Sequence, residues 1–155
     1  MEIRQVTGHR DRRAFLDLPS RVYADLPLWI APLRRDERFM LGERHPFYRH
    51  SAAAFFVAEA RGEVVGRIAV LDHRKWNEHR GSNDAIFALF ESIDDESVAT
   101  TLFEAAAAWA LPRGLADMAG PIGMLPSASL NAEKPSNALR MNGIEPDSCW
   151  IEICQ

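Results

Sequence analysis

Residues 91–101 read ESIDDESVATT, a carboxylate at Glu91 followed by a hydroxyl, three acidic residues and three more hydroxyls. Residues 86–93 before this text have strand character. After it, Val98, Leu102, Ala105 and Trp109 recur on one face of a helix, with Asp94 or Asp95 at its N-cap. The first N–H groups of a helix lack internal partners and sit at the positive end of its dipole, so such a strand-to-helix turn can receive a phosphate. Asp94, Asp95 and Glu96 oppose that use. An acidic side chain in the first turn stabilises a helix by about 0.3–1 kcal/mol, and the same charge repels a bound anion.

The other reactive residue types lack the spacing of a site. Glu59 lies within an apolar run and needs a partner if buried; Arg67 in the following run is the natural one. His45 and His50 are separated by Pro46 and have no acidic neighbour at ligand spacing, so no metal site is expected. His73, Asn77 and His79 fall in the polar stretch 72–84, which reads as a solvated surface loop pinned by Trp76. Cys149 and Cys154 match no zinc or redox motif. The sequence holds no nucleophile elbow, P-loop or dinucleotide fingerprint.

A chain of 155 residues with 47% apolar and 26% charged residues fits one globular domain. Its net charge of -4 makes no field that gathers nucleic acid. Arg10, Arg12 and Arg13, and later Arg34, Arg35 and Arg38, read as solvated helix faces without interleaved stacking aromatics. No apolar run approaches the roughly 20 residues of a membrane span. The opening residues are charged where a signal peptide turns apolar. A cytoplasmic protein with neither nucleic-acid nor membrane partner is the expectation.

Residues 2–6 read as a strand and 8–25 as a helix that Pro19 should break or kink near Leu18. Residues 25–48 form an irregular cover, anchored by Trp29, Phe39, Phe47 and Tyr48. Residues 55–60 and 64–71 form a hairpin turning at Arg61 and Gly62, apolar on both faces as strands covered on each side are. Gly66 within it suits close packing or a bulge. The strand 86–93, a helix ending near Leu111 and a strand over 115–122 follow. After Gly123 prolines, serines and asparagines interrupt every pattern, so 124–155 is expected to be a weakly ordered tail with 149–154 as its one candidate strand. The fold class is α/β with a mixed sheet, in a domain spanning 1–123.

The hairpin AFFVAEARGEVVGRIAVL, followed by strand, helix and strand, resembles the GNAT family, which transfers an acyl group from acyl-coenzyme A to an amine. The likeness covers most of 2–122. The texts HPFYRH, AFFVAE, VGRIA and GPIG are similar to those of large bacterial proteins with a GNAT-like half. The resemblance implies a twisted sheet whose strands 86–93 and 115–122 part to admit the pantetheine of acetyl-CoA or another acyl-CoA. It sets the backbone of Leu89, Phe90 and Glu91 beside that arm, and the turn with Ser92, Ser97, Ala99, Thr100 and Thr101 against the pyrophosphate. Glu91 becomes the base that accepts a proton from a small-molecule amine or peptide.

Two departures accompany the likeness. The family's phosphate turn is Gln or Arg, two residues, Gly, one residue, then Gly or Ala; this chain has DDESVATT there. The family's final strand pair, with a tyrosine that protonates the departing thiolate, finds no match after Gly123, and Tyr23 and Tyr48 both lie upstream. The resemblance therefore leaves an acyltransferase beside two alternatives. One is a non-catalytic GNAT-like binding or structural module, and the other is a truncated fragment stable as a homodimer or with a partner domain.

Overall fold

The computed structural model describes residues 1–31, 33–122 and 139–140. Six strands lie in sequence order across one sheet: β1 (Glu2–Gln5), β2 (Ala52–Ala60), β3 (Glu63–Asp72), β4 (Asp84–Ser92), β5 (Asp117–Ala119) and β6 (Leu139–Arg140). All neighbours are antiparallel except β4 and β5, which run parallel. The short β6 beside β5 is a strand that the sequence does not announce. The tail's expected weak order and the candidate strand 149–154 otherwise lie outside the described residues.

Alternation along the strands divides the core. Ala54, Phe56, Ala58, Ile68, Val70, Ala85 and Phe87 face helix α4 (Glu96–Ala110). Phe55, Val57, Ala69, Leu71 and Ile86 face the other side, where α1 (His9–Val22) supplies Phe15, Leu16 and Leu18. Both faces of the central strands are thus covered, as their continuous apolar character predicts. Arg61 (φ 53°) and Gly62 (φ 83°) turn the hairpin with the left-handed pair of conformations that two-residue hairpin loops use.

α1 runs unbroken through Pro19, contrary to the expected break. A proline lacks the N–H that would bond the carbonyl four residues earlier. That carbonyl belongs to Phe15, and it accepts instead from Arg67 Nη1 at 2.9 Å. The side chain of a neighbouring strand repairs the gap.

The stretch 72–84 is likewise not a loop: α3 (Arg74–Arg80) crosses it, with Trp76 buried beneath. His73 caps α3 by accepting from Trp76 N, and Gly81 closes it at φ 62°. Asn77 then ties the closing turn to β4, donating to Asp84 O at 3.0 Å and accepting from Asp84 N at 3.1 Å. A polar sequence has become a helix whose polar groups are its fastenings. The cover residues 25–48 include α2 (Arg34–Met40) and a 3-10 turn at Pro46–Arg49 that buries Phe47.

α4 sits so close to the sheet that a Cβ added at Gly66 would lie 2.7 Å from both Val98 and Leu102, which is the packing reason for that glycine. Its buried stripe is Val98, Ala99, Leu102, Phe103, Ala106, Ala107 and Ala110, while Ala105 and Trp109 are only half-buried at its edge. Gly120 is tighter still, because a Cβ there would lie 2.5 Å from Phe87 O and 2.6 Å from the Phe87 ring. Gly120→Ala is expected to cost about 1–3 kcal/mol of stability by overpacking against backbone. Urea denaturation checks it, and an unchanged midpoint would refute the close approach.

Candidate functional site

β4 builds the site through an interruption of its own alternation. Ala85 and Phe87 face α4, and Ile86 and Ala88 face α1. Strict period-two geometry would send residue 91 to the α4 side. Leu89 instead adopts φ 49°, and the register with β3 slips between Arg67 and Ala69, so β4 carries an extra residue there. Leu89 then joins Ala88 on the α1 side, Phe90 turns to α4 against Phe103 at 5.0 Å, and Glu91 emerges on the α1 side. The bulge re-aims the carboxylate.

On that side Glu91 meets Arg67, a side chain with 0% exposure. Arg67 Nε donates to Glu91 Oε2 at 2.5 Å and Nη2 donates to buried Glu37 Oε1 at 3.0 Å. Its guanidinium also lies 4.7 Å over the Phe15 ring. One cation therefore joins α1, α2, β3 and β4. The expected pairing of Arg67 with Glu59 does not form. Val57 stands opposite Arg67, while a register shift sets Glu59 opposite Val64, where it pairs with Arg4 at 2.5 Å.

The two tyrosines separate. Tyr48 donates to Met40 O at 3.0 Å, and burial pushes its hydroxyl up to about 12. Tyr23, at the C-cap of α1, is raised first by burial and then by the Glu91 carboxylate, with Arg67 acting the other way. An upstream tyrosine thus lies in the field of the Glu91 and Arg67 pair.

The opposite edge of β4 opens beyond its start. β5 pairs with Asp84, Ala85 and Ile86 only, and then turns away through a cis peptide at Gly120–Pro121, with Ile122 N bonding Phe87 O at 3.0 Å. Among the described residues no strand pairs with that edge from Ala88 to Ser92. The backbone of Leu89, Phe90 and Glu91 lines this opening.

The turn that follows bonds several of its own donors. Asp95 is the N-cap of α4, and its Oδ1 accepts from Ser97 N at 2.9 Å and Ser97 Oγ at 2.7 Å. These bonds, the hydroxyl's first, hold the Asp95 carboxyl below the usual range. Val98 N and Ala99 N bond Asp95 O, and Thr101 Oγ1 donates to Ser97 O at 2.7 Å. Ala99 is buried, Thr100 is half-buried, and Ser92 stands opposite Gly66 on β3.

His45, His50 and His73 serve as caps and core, while His9 and His79 are exposed. His45 Nδ1 accepts from Phe47 N at 3.2 Å, and His50 and His73 stack at 6.5 Å around Phe47. Burial lowers the pKa of both His45 and His73, aided at His73 by His50 and Lys75. A base whose folded pKa is depressed binds its proton more readily when unfolded. Stability is therefore complete above the unfolded value of about 6.5 and falls as pH drops below it toward the lowered folded values. Melting temperature should decline over that window, and His45→Asn with His73→Asn should flatten the decline; an equally steep curve in the double variant would exclude these groups. Among the described residues no cluster of three metal-ligating side chains occurs.

No protein-family model matches the chain. It is 31% identical over 147 residues to protein YghO of Escherichia coli K12, covering 95% of this chain and 36% of that protein. It is 33% identical over 123 residues to a bacterial ceramide synthase of Caulobacter vibrioides, covering 78% of this chain and 31% of the synthase. The chain thus spans about a third of the length of these relatives. Among solved structures, FeeM, an N-acyl amino acid synthase from uncultured soil microbes, superposes with TM-score 0.55 at 16% identity over 76% of this chain and 68% of FeeM. A GNAT-family acetyltransferase of Staphylococcus aureus Mu50 gives TM-score 0.53 at 10% identity over 76% of this chain and 72% of its own. The chain has the GNAT fold.

Proposed function

We propose that this domain transfers an acyl group from acetyl-CoA or another acyl-CoA to an amine. The observation that carries the reading is the open edge of β4 beside the Leu89 bulge, with Glu91 brought to the same place. In this reading the thioester lies along the backbone of Leu89, Phe90 and Glu91, whose polar groups orient its carbonyl and pantetheine. The pyrophosphate falls to the turn with Ser92, Ser97, Ala99, Thr100 and Thr101. Glu91 takes a proton from the ammonium acceptor, the amine nitrogen bonds the acyl carbon, and the carbon–sulfur bond breaks. Tyr23 supplies the proton that the departing thiolate takes up and is restored by the second proton that the nitrogen loses as the amide forms. Arg67 holds Glu91 by one oxygen and acts as its positioning residue. The names of the ceramide synthase and of the N-acyl amino acid synthase both denote amide formation, which supports an amine acceptor.

The second reading is a non-catalytic module, favoured by the Asp95 carboxylate that occupies the Ser97 donors. Titration calorimetry with acetyl-CoA and longer acyl-CoAs at low salt separates the two. Binding is the expected result; none at coenzyme concentrations on the order of millimolar would sink the transferase. Where an acceptor amine is turned over, Glu91→Gln should lower kcat by about 100-fold, the scale of general-base catalysis, with coenzyme affinity unchanged. An unaltered kcat would remove Glu91 from the chemistry.

A further inference from the structure

Among the described residues, five of the eight exposed large apolar side chains fall between residues 26 and 39: Leu26, Leu28, Ile30, Leu33 and Phe39. Leu26, Leu28 and Ile30 lie on a folded-back segment, Leu33 at the N-cap of α2 and Phe39 within α2. Leu26 N bonds Tyr23 O and Trp29 N bonds Leu26 O, both at 3.1 Å, and Trp29 lies against Tyr23 with ring centroids 5.3 Å apart. With Trp29 holding the base, Leu28 and Ile30 project at 94% and 88% exposure.

Positive charge adjoins the projection. Arg34, Arg35 and Arg38 are exposed on the short helix that follows, and Arg34 reaches Asp17 of α1 at 2.7 Å, beside Arg13. Residues 9–44 hold eight arginines against six acidic residues, a balance of +2 in a chain of net charge -4. One of those six, Glu37, is buried against Arg67, while Asp25 and Asp36 are exposed beside the arginines.

We propose that residues 26–31 and 33–39 dock this domain on an anionic lipid surface, with Leu28 and Ile30 entering the apolar boundary and Arg35 and Arg38 meeting the headgroup phosphates. Shape favours lipid over protein, because side chains this fully projecting need a matching cavity in a protein, whereas a bilayer closes around them. The contact is peripheral; no described helix is long and apolar enough to cross a membrane. It departs from the expectation of no membrane partner and does not rest on the acyl-transfer reading.

Sedimentation of the chain with vesicles of phosphatidylcholine, alone or with an equal part of phosphatidylglycerol, tests it. The chain should sediment with the anionic vesicles, and less so as salt rises. Leu28→Ser with Ile30→Ser should weaken partition about tenfold, and Arg35→Gln or Arg38→Gln about fivefold each. These positions are exposed, so the variants should melt as the parent does; Leu33→Ser gives an independent third probe. Absence of vesicle binding, or equal binding by the serine variants, overturns the proposal. So does a dimer in sedimentation velocity that Leu28→Ser with Ile30→Ser dissolves, since the surface would then belong to a second copy.

Discussion

Arg67→Met should lower the stability of the domain by about 3–5 kcal/mol, the usual cost of removing one partner from a buried ionic cluster. Three acceptors lose their donor together: the buried Glu37 carboxylate, Glu91 and the Phe15 carbonyl. The last is separable. Phe15 O depends on Arg67 because residue 19 is proline, so Pro19→Ala would supply the missing helical N–H. In a double-mutant cycle the cost of Arg67→Met should shrink by about 1–2 kcal/mol in the Pro19→Ala background, the value of satisfying one buried carbonyl. Equal cost in both backgrounds would mean that Pro19 and Arg67 are not coupled through that oxygen. Adding Glu37→Leu to Arg67→Met should recover further stability, since it removes the carboxylate that the first change strands.

This cluster also shows where sequence reading succeeds and where it stops. The hairpin, the covered central strands and α4 were legible because apolar periodicity and the turn at Arg61 and Gly62 are local signals. The face of α4 was less so, since the run of alanines from 105 to 108 gives no contrast between buried and exposed sides. Pro19 is locally a helix breaker; what rescues the helix is a guanidinium 52 residues away in sequence. Arg67 and Glu59 were both recognisable as charges needing partners, but two register shifts decide which partners they find. The direction of Glu91 rests on Leu89 taking φ 49°, and nothing about a leucine announces a left-handed conformation. Likewise no spacing in the sequence ties Tyr23, at the C-cap of α1, to Glu91, whose charge adds to burial in raising its pKa. The segment 72–84 misled because its polar side chains look solvated until Asn77 and His73 are seen bonding the backbone.

Asp94→Asn with Asp95→Asn should tighten acyl-CoA binding about threefold to thirtyfold, because two charges leave the mouth of the turn. Capping survives this change, because an asparagine oxygen can still accept from Ser97 N as Asp95 does now. The structure adds a second obstacle that charge removal leaves in place: the Ser97 N–H and hydroxyl are both already bonded to residue 95. Asp94→Asn with Asp95→Gly removes the same two charges and also frees both donors, at a capping cost of only a few tenths of a kcal/mol. If the turn receives the pyrophosphate, the glycine variant should bind more tightly than the asparagine variant, and its gain should persist at high salt, where the screened charge effect fades. Calorimetry at two ionic strengths measures both. Equal affinities for the two variants would show that Ser97 is not a phosphate ligand, and an affinity unchanged from the parent in both would place the pyrophosphate away from this turn.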